Sequence, residues 1–232
     1  MLEQAIIEHI QGTVSDIQAA YTECNDFIAI GGIALYCHMQ GRGLKPLIRT
    51  KDADVVCGTT SYSYIRNEFE VVFNARMSKH EYKIALTVDQ NEQNEQNEQN
   101  EQNIDVDVYL VFNHSLRIDD SEILEHAVDI NGIKCAHLVH LLVLKIDNYT
   151  LFGGNKESDK FKKIIRDILQ ILGLIDSDEL TLKLLAKNFD EARFLKLKEI
   201  TEDHAEFYID VCRLFEVKCF TENLCCIEKQ CA

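Results

Sequence analysis

Two aspartates one residue apart, Asp52 and Asp54, open the short run DADVVC. On a strand, residues i and i+2 share a face, so the two carboxylates converge on one point above a sheet. Like charges held that close repel, and a hard divalent cation relieves the repulsion. Mg²⁺ suits the pair, because it takes one or two carboxylates and fills its shell with phosphate oxygens and water. A third carboxylate is expected from a neighbouring strand. The segment NIDVDVYLVF offers Asp105 and Asp107, again on one shared face. Asp107 is favoured, since the apolar run 108–112 follows it; Asp105, nearer the preceding loop, is the alternative. Three such acids can hold two Mg²⁺ ions, one activating an attacking hydroxyl and one steadying a triphosphate and its leaving pyrophosphate. The third acid is also the candidate general base.

Gly31-Gly32 lies upstream, between the apolar run 27–30 and the helical stretch 33–40. Glycine there permits a sharp turn and close backbone approach, and the helix N-terminus that follows offers free N–H groups to a phosphate. The segment is not a Walker loop, because no GK[ST] follows, and the second half of a G-x-G-x-x-G fingerprint is absent. Arg49 and Lys51 flank the acids and can neutralise phosphate charge. Lys145 interrupts the apolar run 141–146, so it snorkels, pairs with Asp147 or Asp167, or meets an anion. His38, at the end of the first helix after the glycines, reads as a capping or packing group. No Ser-His-Asp or Cys-His triad is visible.

Several elements must position these residues. An i, i+4 apolar stripe over residues 2–23 predicts an amphipathic helix, bent near Gly12. Strands are expected at 27–30, 52–57, 71–75, 81–89 and 103–112, with a short helix at 62–70. From Ser121 the pattern turns helical, over 121–128, 136–151, 157–173, 178–197 and 202–216. The expectation is therefore an α+β domain with a mixed sheet over 1–130, followed by a helical C-terminal module over 131–232. Between two predicted strands, residues 89–103 are a tandem Asn-Glu-Gln triplet without an apolar member, read as an expanded hairpin loop in solvent.

Composition excludes some functions. At 46% hydrophobic the chain of 232 residues is globular. A net charge of −15, or −11 without the four glutamates of the repeat, argues against a sequence-independent grip on DNA. It leaves room for a local phosphate pocket. No apolar run is long enough to cross a bilayer, and the N-terminus lacks a basic n-region, so no membrane association is expected. Nine cysteines without framework spacing predict free thiols in a reducing cytoplasm. The tail spacing C-x5-CC-x4-C does not match a zinc site.

Taken together, Gly31-Gly32-x-Ala34, His38 and Arg49-Thr50-Lys51-Asp52-x-Asp54 resemble the signature of the nucleotidyltransferase superfamily, in particular its AbiEii-like branch. Downstream, Lys145 and the run Lys163-Ile-Ile-Arg166-Asp167-Ile168 are similar to that family's C-terminal helices. The resemblance implies an enzyme that moves a nucleoside monophosphate from an NTP to a hydroxyl on RNA or protein. It implies Asp52, Asp54 and Asp107 (or Asp105) as catalytic acids, with Asp52, Asp54 and Asp107 on the metal. Gly31, Gly32, Arg49, Thr50, Lys51 and Lys145 would contact the nucleotide. It also implies a toxin–antitoxin setting, with a cognate antitoxin or toxin as partner. A binding or regulatory protein that holds a nucleotide without turnover is the alternative.

Overall fold

The computed structural model describes residues 26–44, 52–58, 61, 76–77, 83–88, 102–110, 116–152 and 158–206. It also describes helical positions 8, 10–12, 14, 15, 18 and 19 and, near the C-terminus, 209, 210, 213, 225 and 227–229. The fold is α+β. The chain divides into two compact units. The first comprises Met1–Cys37, Leu47–Leu116 and Asp120–Ala136; the second comprises His38–Pro46, Arg117–Asp119 and His137–Ala232.

The seven strands among the described residues all belong to the first unit. They are β1 (Phe27–Ile30), β2 (Asp52–Cys57), β3 (Arg76–Met77), β4 (Lys83–Val88), β5 (Gln102–Leu110), β6 (Val128–Ile130) and β7 (Ile133–Cys135). They form one mixed sheet in the order β3-β4-β5-β2-β1-β7-β6. β2 runs parallel to β5 and β1 parallel to β7; the other neighbours are antiparallel. Ala53, Val55, Val106 and Val108 are fully buried, while the alternating Asp52, Asp54 and Asp107 are half-buried. Each buried valine contributes about 1.5–3 kcal/mol. A one-residue slip would bury acids in their place, so the hydrophobic face pins the register.

Helix α1 (Gly31–Gly41) leaves the end of β1 directly and is buried on every side from Gly32 to Met39. Its sequence GGIALYCHM is apolar all round, as a core helix requires. His38 is one of its buried residues, in the last turn. A short helix, α2 (Asp120–Glu125), packs on β1 and β2 through the buried Ile123.

The second unit is helical: α3 (Leu138–Leu151), α4 (Asp159–Leu174), α5 (Glu179–Asn188) and α6 (Glu191–Asp203). α3 is central and packs on the other three. Each start is capped by the side chain before it. His137 accepts from Val139 N, Ser158 from Phe161 N, Asp178 from Thr181 N and Asp190 from Arg193 N, which satisfies donors the helix leaves open.

Three departures from the expected elements have local causes. The part expected to be all-helical from residue 131 opens with a strand, because β6 and β7 form a hairpin at 128–135. Its turn is Asn131-Gly132, both at positive φ (54° and 84°), and Gly132 N–H donates to Asp129 Oδ1 at 2.9 Å. The expected boundary near residue 130 falls at that turn. The predicted helix 178–197 is two helices, since Asp190 caps a new one at 2.8 Å from Arg193 N. The predicted helix 202–216 is interrupted after Asp203, where His204 leaves helical geometry (φ −123°, ψ 29°). The expected helix at 62–70, the strand at 71–75 and the repeat through Glu101 lie outside the described residues. The strands flanking the repeat are antiparallel neighbours that end in the rung Val88↔Gln102. Among the described residues, no helix is long and apolar enough to cross a membrane.

Candidate active site

The glycine turn and the acids meet in one corner of the first unit. Parallel pairing of β2 with β5 sets Asp52 opposite Asp105 and Asp54 opposite Asp107. Residues paired across a ladder share a face, so Asp54 and Asp107 stand side by side on the half-buried side of the sheet, with Asp52 two residues before Asp54 on the same strand face. Asp54 is also paired with Ile30, the last residue of β1. The next residue is Gly31, whose φ of +64° belongs to the left-handed region. A Cβ at Gly31 would strike Asp54 Oδ2 and lie 3.1 Å from Asp54 Cβ and Cγ. The carboxylate of Asp54 therefore packs against bare glycine backbone. Gly32 follows in the first turn of α1 and is buried.

Asp107 lies in the same rung, with its Oδ1 withdrawn from solvent. For Asp105 the backbone alone is described, at the register of Asp52. Arg49, Thr50 and Lys51 lie outside the described residues. One residue passed over in the sequence reading stands at the same place. Lys83 is directly opposite Asp107 in the β4–β5 pair, which puts its Cα on the acid face. Strand 81–89 was legible, but a low-complexity loop carries no register, so no sequence signal could align Lys83 with Asp107.

The far end of the β1–β2 pair is closed by Asp26. Gly58 N–H donates to Asp26 O at 2.9 Å, and the Ser61 hydroxyl donates to the Asp26 carboxylate. Burial pushes this carboxyl above its usual value, against hydrogen bonds from the Asp26 and Ser61 backbone and the charge of Lys134.

Lys145 belongs to the second unit, on α3. Its Nζ donates to Asp167 Oδ2 at 2.7 Å, and both side chains are largely withdrawn from solvent. Of the partners considered from sequence, Asp167 takes the lysine. Asp147 instead receives a two-pronged grip from Arg193, at 3.1 Å through Nε and 2.9 Å through Nη2. The hydrogen bond to Asp147 raises the Arg193 guanidinium pKa. Arg193 also donates to the Asn188 carbonyl at 2.7 Å, across the break between α5 and α6.

Among the described residues, no three His, Cys, Asp or Glu side chains form a ready-made cation cage. The donor set nevertheless fits Mg²⁺, which binds through one or two carboxylates plus phosphate oxygens and seldom in an all-protein cage. Asp54 and Asp107 on one rung, Asp52 on the next, and a bare glycine turn beside them supply that arrangement.

The fold as a whole is similar to one already solved, the crystal structure of an antigenic nucleotidyltransferase-like protein from Paracoccidioides brasiliensis. It has a TM-score of 0.55 and 16% sequence identity, over 92% of this chain and 93% of that one. No protein-family model and no curated protein matches the sequence.

Proposed function

We propose that the protein is a Mg²⁺-dependent nucleotidyltransferase that moves a nucleoside monophosphate from an NTP to a hydroxyl of an RNA or protein acceptor. The observation that carries this reading is the rung Asp107–Asp54 set against the glycine turn at Gly31. Asp52, Asp54 and Asp107 would hold the metal. When bound, Mg²⁺ neutralises triphosphate charge and makes the acceptor hydroxyl more acidic. The acceptor oxygen forms a bond to the α-phosphorus as the bond from that phosphorus to the bridging oxygen breaks, and pyrophosphate leaves. The hydroxyl proton passes to a carboxylate, with Asp107 the first candidate and Asp105 the alternative. Gly31 and Gly32 let phosphate approach the start of α1, with Arg49, Thr50 and Lys51 on the chain just before the acids. Lys145, which the resemblance would place at the nucleotide, is paired with Asp167.

The resemblance to the AbiEii-like branch supports a cytoplasmic toxin–antitoxin role with a cognate partner. The nucleotidyltransferase-like structural neighbour supports the reaction class. The test is Mg²⁺-dependent transfer of label from an α-labelled NTP to RNA or protein. Activity that survives in both Asp52→Ala and Asp54→Ala would refute the mechanism. A second reading is a nucleotide-binding regulatory protein without turnover on the same fold. Nucleotide binding without pyrophosphate release would favour it.

A further inference from the structure

The row of paired residues that carries the candidate acids runs one strand further and ends in a cation. From β4 to β1 it reads Lys83, Asp107, Asp54 and Ile30. The parity of β4 is set by its apolar half. Ile84 is paired with the fully buried Val106, and a one-residue slip would put Lys83, Ala85 and Thr87 in place of Ile84, Leu86 and Val88. Ala85 and Thr87 are uncharged, so β4 contributes one charge to the acid face, level with Asp107. The neighbouring row reads Arg76 on β3, then Ala85, Asp105 and Asp52, with the uncharged Ala85 between the arginine and the acids.

Charge counting gives this placement a consequence. Lysine and arginine are both cationic at neutral pH. In the two rows four aspartates stand against two cations, which leaves −2. One divalent ion balances that charge. A second meets no unbalanced charge until a triphosphate brings its own. We propose that Lys83 is a positioning residue of the candidate site: paired with Asp107, it takes the place of a second metal ion until a nucleotide brings one. The inference rests on the transfer reaction proposed above and adds an order to it. The free chain holds one Mg²⁺ and accepts the second together with the NTP, so metal and nucleotide strengthen each other's binding.

The test is equilibrium titration of the full chain with Mn²⁺, which shares the oxygen-ligand preference of Mg²⁺, with and without a non-hydrolysable NTP. The binding that Asp54→Ala removes reports the site. Lys83→Gln takes away a like charge, so Mn²⁺ should bind the free chain at least about threefold more tightly, and the gain on adding NTP should shrink by a similar factor. Lys83→Arg keeps the charge and should bind as the unmodified chain does. Arg76→Gln makes the same charge change one strand further from Asp107 and should shift the affinity less. Loss of structure weakens binding and so cannot imitate this result. If Lys83→Gln does not fold, Lys83→Gln/Asp107→Asn decides in its place: a folded double variant supports the pairing, and an unfolded one overturns it. Mn²⁺ affinity that is unchanged or weaker in Lys83→Gln, or that shifts equally in Arg76→Gln or Lys83→Arg, overturns the proposal and leaves the transfer reaction standing. If the unmodified chain shows no Asp54-dependent Mn²⁺ binding with or without NTP, the metal reading itself fails and the proposal with it.

Discussion

Replacing Gly31 by alanine probes the corner on which the functional reading rests. Two costs are legible in the structure. The backbone at φ +64° disfavours any side chain, at about 1–2 kcal/mol. The new methyl would also meet the Asp54 carboxylate, with 3.1 Å to its Cβ and Cγ, and overpacking of that kind costs about 1–3 kcal/mol. Together they amount to about 2–5 kcal/mol, or a fall in Tm of roughly 5–15 °C for a chain of this size. Gly132→Ala is the matched control in the same unit. Its φ is +84° and nothing lies within 4 Å of a Cβ there, so it bears the backbone cost alone. The assay is urea and thermal unfolding of both variants and of Gly31→Ala/Asp54→Ala. Removing the carboxylate should return part of the loss, with a coupling of at least about 1 kcal/mol. The relief stays partial because Asp54 Cβ is itself at 3.1 Å. If Gly31→Ala costs no more than Gly132→Ala, or if the double variant shows no coupling, the close packing of Asp54 on the glycine turn is wrong.

Other outcomes follow from the same structure. Lys145→Ala leaves Asp167 buried without its cation, a loss of about 3–5 kcal/mol, whereas Lys145→Met/Asp167→Leu should recover most of it in urea unfolding. Asp178 caps α5 through Thr181 N at 3.0 Å and Thr181 Oγ1 at 2.7 Å, and these bonds hold its carboxyl below the usual 3.8. Its folded value lies under its unfolded one, so the contribution is full above pH 3.8 and fades as pH falls through the folded value. Asp178→Ala should therefore cost about 1 kcal/mol at neutral pH, and the gap to the unmodified chain should close in acid denaturation curves. Deleting residues 92–100 shortens the connection between Val88 and Gln102 and should change stability by no more than about 1 kcal/mol, with a larger loss arguing that the repeat packs on the fold. Mg²⁺ with a non-hydrolysable NTP at 100 times its Kd should add about 2.7 kcal/mol in thermal unfolding, and an equal gain in Asp52→Ala/Asp54→Ala would place the ligand elsewhere.

The parts of the fold readable from sequence are those that local periodicity encodes. Alternation over DADVVC and NIDVDVYL fixed which residues share a face, because strand geometry repeats every two residues. Helices α3 and α4 followed from long apolar stripes, to within a residue or two at each end. The Asn131-Gly132 hairpin carried a local signal as well, a turn residue pair between short β-branched runs, but its strands are only three residues each and fall almost wholly in the gap between the expected helices 121–128 and 136–151. What no local pattern contains is the partner and register of each strand. That β5 lies beside β2, with Asp107 level with Asp54 and Lys83 level with Asp107, depends on pairing across tens of residues and a loop without register. The same holds for Lys145, whose choice of Asp167 over Asp147 was decided by Arg193 arriving from a helix 46 residues away from Asp147 in sequence. The sequence by itself determined the types and parity of the candidate acids and the glycine turn before α1. Only the tertiary structure decided that Asp54 rests on Gly31, because a contact between a strand and a distant turn exists only once the sheet has closed between them.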